Sequence, residues 1–292
     1  MAWVASVGHR SGSAAQVALQ VVVLLPLALL AIVGAATRLG GRALGAFAGA
    51  VWVFLPLVGY HFADFRMRPP LAAGFLSEVY GLAGGTELAA AVALAAAAYL
   101  LVATLQDGRR RDAAASGVAA AIALVLSPAS MLFLPGAAVA LGLRRRAGAL
   151  GAFAGAAAPG LVLALAWRWG HVPPVLHWNW SQFHLNLMGF REYFWSLRVV
   201  EWLPIAGTIA LLRRSLPVTI AIGTWFWTTV LLRGSLANTW WTGDPFHPSS
   251  VFLVRLLPAL PAFVLLVGAL PLLVPRLPAR LAPFSRPAND RV

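Results

Sequence analysis

The chain predicts an all-α fold, a polytopic transmembrane helix bundle of about nine spans, and three observations predict it. Hydrophobic residues fill 60% of 292 positions against 11% charged, with a mean hydropathy of +0.80, a balance that no water-soluble core could bury. The apolar residues fall in runs, and a helix rising about 1.5 Å per residue needs roughly 20 of them to cross about 30 Å of hydrocarbon. Tight arginine clusters take alternate connections, while aromatic, histidine and carboxylate residues gather in the others.

Taken in order, the runs cover Ala14 to Ala36, Ala43 to Tyr60, Glu87 to Leu105, Ala113 to Ser127, Ala129 to Leu143, Ala147 to Ala166, Trp202 to Leu212, Leu216 to Leu232 and Val251 to Val274. Arg38 and Arg42, Arg109 to Arg111, Arg144 to Arg146, and Arg213 with Arg214 mark four connections, and Arg276, Arg280, Arg286 and Arg291 a Pro/Arg-rich tail over 276–292. All lie on one side of the expected bundle, which the positive-inside rule makes cytoplasmic. Residues 1–275 then form one transmembrane domain. The stretch from Ala113 to Leu143 divides at Ser127-Pro128-Ala129-Ser130, because a single span there would put one of two triple-arginine clusters outside. Two short or tilted helices meeting at an outer turn satisfy both clusters. The short run at Trp202 is expected to begin earlier, around Phe194. This count leaves the N-terminus outside with no preceding helix, which hints at a missing upstream segment.

Composition also excludes. The net charge of +13 is carried by arginines at the ends of apolar runs, where they anchor to headgroups, so nucleic acid is not an expected partner and the lipid bilayer is. Without cysteine there is no disulfide or thiolate chemistry. Every basic residue is arginine and Ala, Gly and Pro are abundant, which suggests a GC-rich bacterial genome and a bacterial plasma membrane. No Gly-rich phosphate loop, GxSxG elbow or HExxH occurs. His171, His177 and His184 are six and seven residues apart with no carboxylate between them, a poor metal-ligand set. No cofactor is evident, and a divalent-metal requirement stays open. The octapeptide ALGAFAGA occurs at Ala43 to Ala50 and again at Ala149 to Ala156. Each copy contains a Gly-xxx-Gly that lets helix backbones approach closely, or the two coincide by chance.

Three outer connections, near 61–86, 167–201 and 233–250, are too long to be simple turns. The first holds His61, Asp64, Arg66, Arg68 and Glu78 around Pro69-Pro70; the second holds Trp178, Asn179, Trp180, Gln182, His184 and Asn186; the third holds Asn238, Trp240, Trp241, Asp244 and His247. Their tryptophans are either an interfacial belt or a binding surface. Aromatic faces beside amides and imidazoles suit a sugar, whose CH faces stack while its hydroxyls take directional hydrogen bonds. Glu87 heads a span after Thr86, as a capping arrangement favoured by the helix dipole or as a carboxylate at the outer mouth. Arg255, a few residues inside the last run, either snorkels to the interface or turns a guanidinium inward toward a lipid phosphate.

The order of an outward span ending in Pro56-Leu57, an outer loop, Thr86-Glu87 at the head of the next span, an arginine connection, a small-residue helix with Ser127-Pro128, another arginine cluster and a last helix reading VRLLPALPA resembles the GT-C superfamily of integral-membrane glycosyltransferases. The likeness covers most of the chain as a topology, through loose hydrophobic motifs. It implies a lipid-linked sugar donor, a sugar on a polyprenyl-phosphate carrier, and hexosyl transfer to an acceptor on the extracytoplasmic face. It also implies roles: Glu87 and Asp64 as candidate catalytic carboxylates, Arg255, Arg66, Arg68 and His247 toward the lipid phosphate, and Trp178, Asn179, Trp180, Gln182, His184 and Asn186 toward sugar or acceptor. An inverting transfer needs at least one acid and one cation. The chain departs from the superfamily in lacking its first helix and its first outer loop, which usually carries a catalytic aspartate. The expectation is therefore a truncated protein, a partner chain supplying that segment, or an inactive relative. A transporter, flippase or non-catalytic membrane subunit is the rival class.

Overall fold

Glycines with positive φ set two of the sharpest connections. The computed structural model describes residues 14–62, 76, 79–80, 86–169, 199–230 and 257–274, and the regular structure among them is entirely helical. Helix α1 (Ala14–Gly40) ends at Gly41, whose φ of 83° a side chain would resist. Its amide donates to the Thr37 carbonyl at 2.7 Å, and α2 (Arg42–Phe62) packs back along α1. Helix α3 (Glu87–Asp107) ends the same way: Gly108, at φ 74°, donates its amide to the Thr104 carbonyl, a left-handed C-cap. Helix α4 (Arg110–Leu126) follows at once.

Ser127 then turns extended (φ −145°, ψ 114°), Pro128–Leu132 forms a 3-10 turn, and α5 (Phe133–Leu143) carries the chain back to the arginine end. The Ser-Pro-Ala-Ser break thus separates two helices, and Ser130 helps to close it by donating from Oγ to the Ala123 carbonyl at 3.0 Å. Next come α6 (Ala147–Trp169), α7 (Val199–Leu212) and α8 (Leu216–Thr228). Of the last run, expected as one span from Val251 to Val274, the described part is an apolar helical stretch, Leu257–Leu273, in which a nine-residue helix, α9 (Leu260–Gly268), lies between 3-10 turns Leu257–Ala259 and Leu270–Leu273. Pro258, Pro261 and Pro271 each lack an amide proton, so the backbone ladder cannot run unbroken through them.

Helix α3 sits centrally, packed against α1 and α4 and touching α5, α8 and α9. Small residues make the closest contacts: Gly117 of α4 lies beneath the Phe153 carbonyl of α6, and a Cβ on Gly160 would come within 2.5 Å of Ala121 Cα. These contacts run in parallel register along α4 and α6. Phe133 joins three helices, edge-on to Phe153 at 6.4 Å and to Trp225 at 5.2 Å. The outward faces are apolar as well, with Val22 70%, Leu30 68% and Val162 62% exposed. Water would penalise such a surface and hydrocarbon would not. Among the described residues three helices are long and apolar enough to cross a membrane, Ala14–Gly40, Glu87–Asp107 and Ala147–Ala166, beside shorter apolar ones.

Candidate functional site

The bundle has two polar ends of opposite character. At one, the arginine connections meet. Arg38 donates from Nη1 to Asp107 Oδ2 at 3.1 Å and to Gln106 Oε1 at 3.3 Å, and Gln106 Nε2 returns a bond to the Arg38 carbonyl at 2.8 Å. Arg146 donates to the carbonyls of Thr104 and Gln106, and Arg214 Nε to the Leu39 carbonyl at 3.0 Å. Arg146 and Arg214 therefore bring guanidiniums to the last carbonyls of α3 and α1, at the negative end of each dipole, while Arg38 joins the two helix ends through side chains. Burial, and then the neighbouring Arg144, hold the Arg146 guanidinium below its ordinary value, with Asp107 acting the other way. The four arginine-bearing connections expected on one side do share one end of the bundle.

The other end begins at Thr86 and Glu87. Thr86 occupies the N-cap position of α3 but makes no capping bond. Its Oγ1 donates instead to the Leu126 carbonyl at 2.9 Å. The expected cap is thus a tie between the first turn of α3 and the last of α4, because the break at Ser127 leaves that carbonyl open. Glu87, half-buried, follows in the first turn of α3. Next to Leu126, Ser127 is 1% exposed and its hydroxyl has no hydrogen-bond partner among the described residues.

A third polar group lies at this depth. Residues Leu19–Leu24 of α1 wind as a π-helix, with the Leu25 amide on the Gln20 carbonyl. This segment packs against α3. Arg38 opposite Gln106, with α1 and α3 parallel, brings Gln20 near the level of Leu88, one residue from Glu87. Gln20 is 2% exposed and its Oε1 accepts no hydrogen bond among the described residues. Buried polar atoms without partners are costly and rare, and π-turns inside helices recur at working sites.

Of the residues singled out from sequence, Glu87 is brought to this end. Asp64, Arg66, Arg68, His247, Arg255, Trp178, Asn179, Trp180, Gln182, His184 and Asn186 lie outside the described residues. Gln20 and Ser127 were not anticipated. The signal for Gln20 was available: with Gln16 it supplies the only amides in an otherwise apolar run, four residues apart and so on one helix face. No group of three His, Cys, Asp or Glu residues able to hold a metal occurs among the described residues.

Among the described residues the arrangement defines, at its coarsest, an all-helical bundle with helices suited to a membrane, an arginine-rich end and an opposite polar end. No protein-family model, no curated protein and no solved structure matches the chain.

Proposed function

We propose that the chain is a multi-pass protein of a bacterial plasma membrane, with about nine crossings and its C-terminus in the cytoplasm, that binds a lipid-linked sugar at its outer end and transfers the sugar to an acceptor there, as a GT-C-type glycosyltransferase does. The arrangement at Thr86 and Glu87 carries the reading. A carboxylate opens a central helix at the end away from the arginines, where Thr86 ties α3 to α4 beside a buried hydroxyl.

In this reading Glu87, with Asp64, polarises the acceptor hydroxyl as it attacks the anomeric carbon, and Arg255 with Arg66, Arg68 and His247 neutralises the departing phosphate. Trp178, Asn179, Trp180, Gln182, His184 and Asn186 hold sugar or acceptor. Proton removal by a positioned carboxylate contributes about 10²-fold or more. Glu87→Gln is therefore expected to lower the transfer rate from a polyprenyl-phosphate hexose by about that factor, while helix content by circular dichroism stays unchanged. Full transfer by both Glu87→Gln and Arg255→Ala withdraws these roles.

A second reading has its own observation. The π-turn in α1 and the interrupted last helix resemble the broken helices that line transport sites. Reconstituted vesicles that move a lipid-linked sugar between leaflets without consuming it would favour a flippase over the transferase.

A further inference from the structure

The arginine end divides into guanidiniums used inside the chain and guanidiniums that are not. Arg38, Arg146 and Arg214 serve neighbouring helix ends. The guanidiniums of Arg109, Arg110, Arg144 and Arg145 make no hydrogen bond or ion pair among the described residues, and all four residues are exposed. They collect at one seam, because α5 returns the chain and starts α6 beside the start of α4. Glycine at position 148 shapes the seam: Arg110 Nε lies 2.5 Å, and its Cζ and Nη2 2.7 Å, from where a Cβ of residue 148 would stand. The guanidinium therefore rests on the first turn of α6, beside the triple-arginine cluster that precedes it.

That is an uncompensated arrangement. Two parallel helices present their positive ends together with two arginine clusters. The acids at this end among the described residues are Asp107, taken by Arg38 at 3.1 Å, and Asp112, 3.7 Å from Arg111. Below the arginines the outer face of α4 is apolar, with Val118, Ile122 and Val125 all more than half exposed.

We propose that the seam where α4 and α6 begin is a binding site for the phosphate headgroup of an anionic phospholipid. Arg110 is its fork, Arg109, Arg144 and Arg145 supply charge, and the acyl chains lie along Val118, Ile122 and Val125. A phosphodiester offers two free oxygens to a planar guanidinium, and basic clefts between membrane helices on the cytoplasmic side hold such headgroups. The site stands apart from the outer end and does not depend on the transferase reading.

The test uses the purified full chain in zwitterionic detergent, with thermal unfolding and lipid retention in native mass spectrometry read against added phosphatidylglycerol, phosphatidylcholine or inorganic phosphate. Phosphatidylglycerol is expected to raise the melting temperature and stay bound where phosphatidylcholine does not. Arg110→Gln should weaken that binding about fivefold, the equilibrium factor for one arginine at an anionic surface. Gly148→Ala should weaken it with net charge intact, by displacing the guanidinium, and provides the readout if Arg110→Gln fails to fold. Arg42→Gln and Arg213→Gln, at the same end on other elements, should leave it unchanged. Equal binding of the two lipids, or equal loss in the control variants, overturns the site. Stabilisation by inorganic phosphate alone to the same degree overturns the lipid and makes the ligand a soluble anion.

Discussion

Gly45 and Gly151 hold the same place in the same octapeptide, and their surroundings are opposite. In the α2 copy the buried positions are Leu44, Gly45, Ala48 and Gly49, and Cβ atoms on the glycines would collide with Thr37 and Val33 of α1. In the α6 copy the buried positions are Ala149 and Phe153, while Gly151 and Gly155 have nothing within 4 Å of a would-be Cβ. Gly45→Ala should therefore destabilise by about 1–3 kcal/mol, the cost of overpacking, and Gly151→Ala should not. Paired thermal melts in one detergent check this, and equal shifts would contradict it. Arg146 offers a second case. Removing its bonds to the Thr104 and Gln106 carbonyls in Arg146→Gln should cost about 1.5 kcal/mol, the low end for bonds to a charged group because this guanidinium is partly solvated.

Helices are where the sequence was most legible. Apolar runs long enough for a span predict α1, α3 and α6 closely, and the argument from the arginine clusters finds the division between α4 and α5 that hydropathy alone would miss. Ends were less legible. Helix α2 continues to Phe62 and α6 to Trp169, past the expected Tyr60 and Ala166, because hydropathy falls before the backbone ladder does. In the last run the 3-10 turns on either side of α9 were not legible, because its prolines act on the backbone, to which hydropathy is blind. Thr86 stands at the N-cap position as read, but the partner of its hydroxyl was not legible: a local cap can be read from four residues, whereas its bond to Leu126 spans 40 positions. Thr86→Val should loosen the tie between α3 and α4 by about 1 kcal/mol, with faster amide exchange near Leu126 and Ser127 as the local readout.

For the whole molecule, the absence of cysteine makes single-cysteine labelling straightforward. Arg42→Cys, Arg109→Cys, Arg144→Cys and Arg213→Cys should all react with an impermeant thiol reagent from one compartment, and Trp178→Cys from the other. Reaction of Arg109→Cys and Trp178→Cys from the same side would defeat the orientation. The bonds at the arginine end also order assembly in time. Chains are made from the N-terminus onward, and the partners of these bonds are separated by 42 residues for Arg146 with Thr104, 68 for Arg38 with Gln106 and 175 for Arg214 with Leu39. The Leu39 carbonyl must wait until α7 and the residues after it have been made. Arg214 is thus a latch that closes late, so a ribosome stalled before it would leave the first helix held at this end through Arg38 but not yet fastened to the later helices.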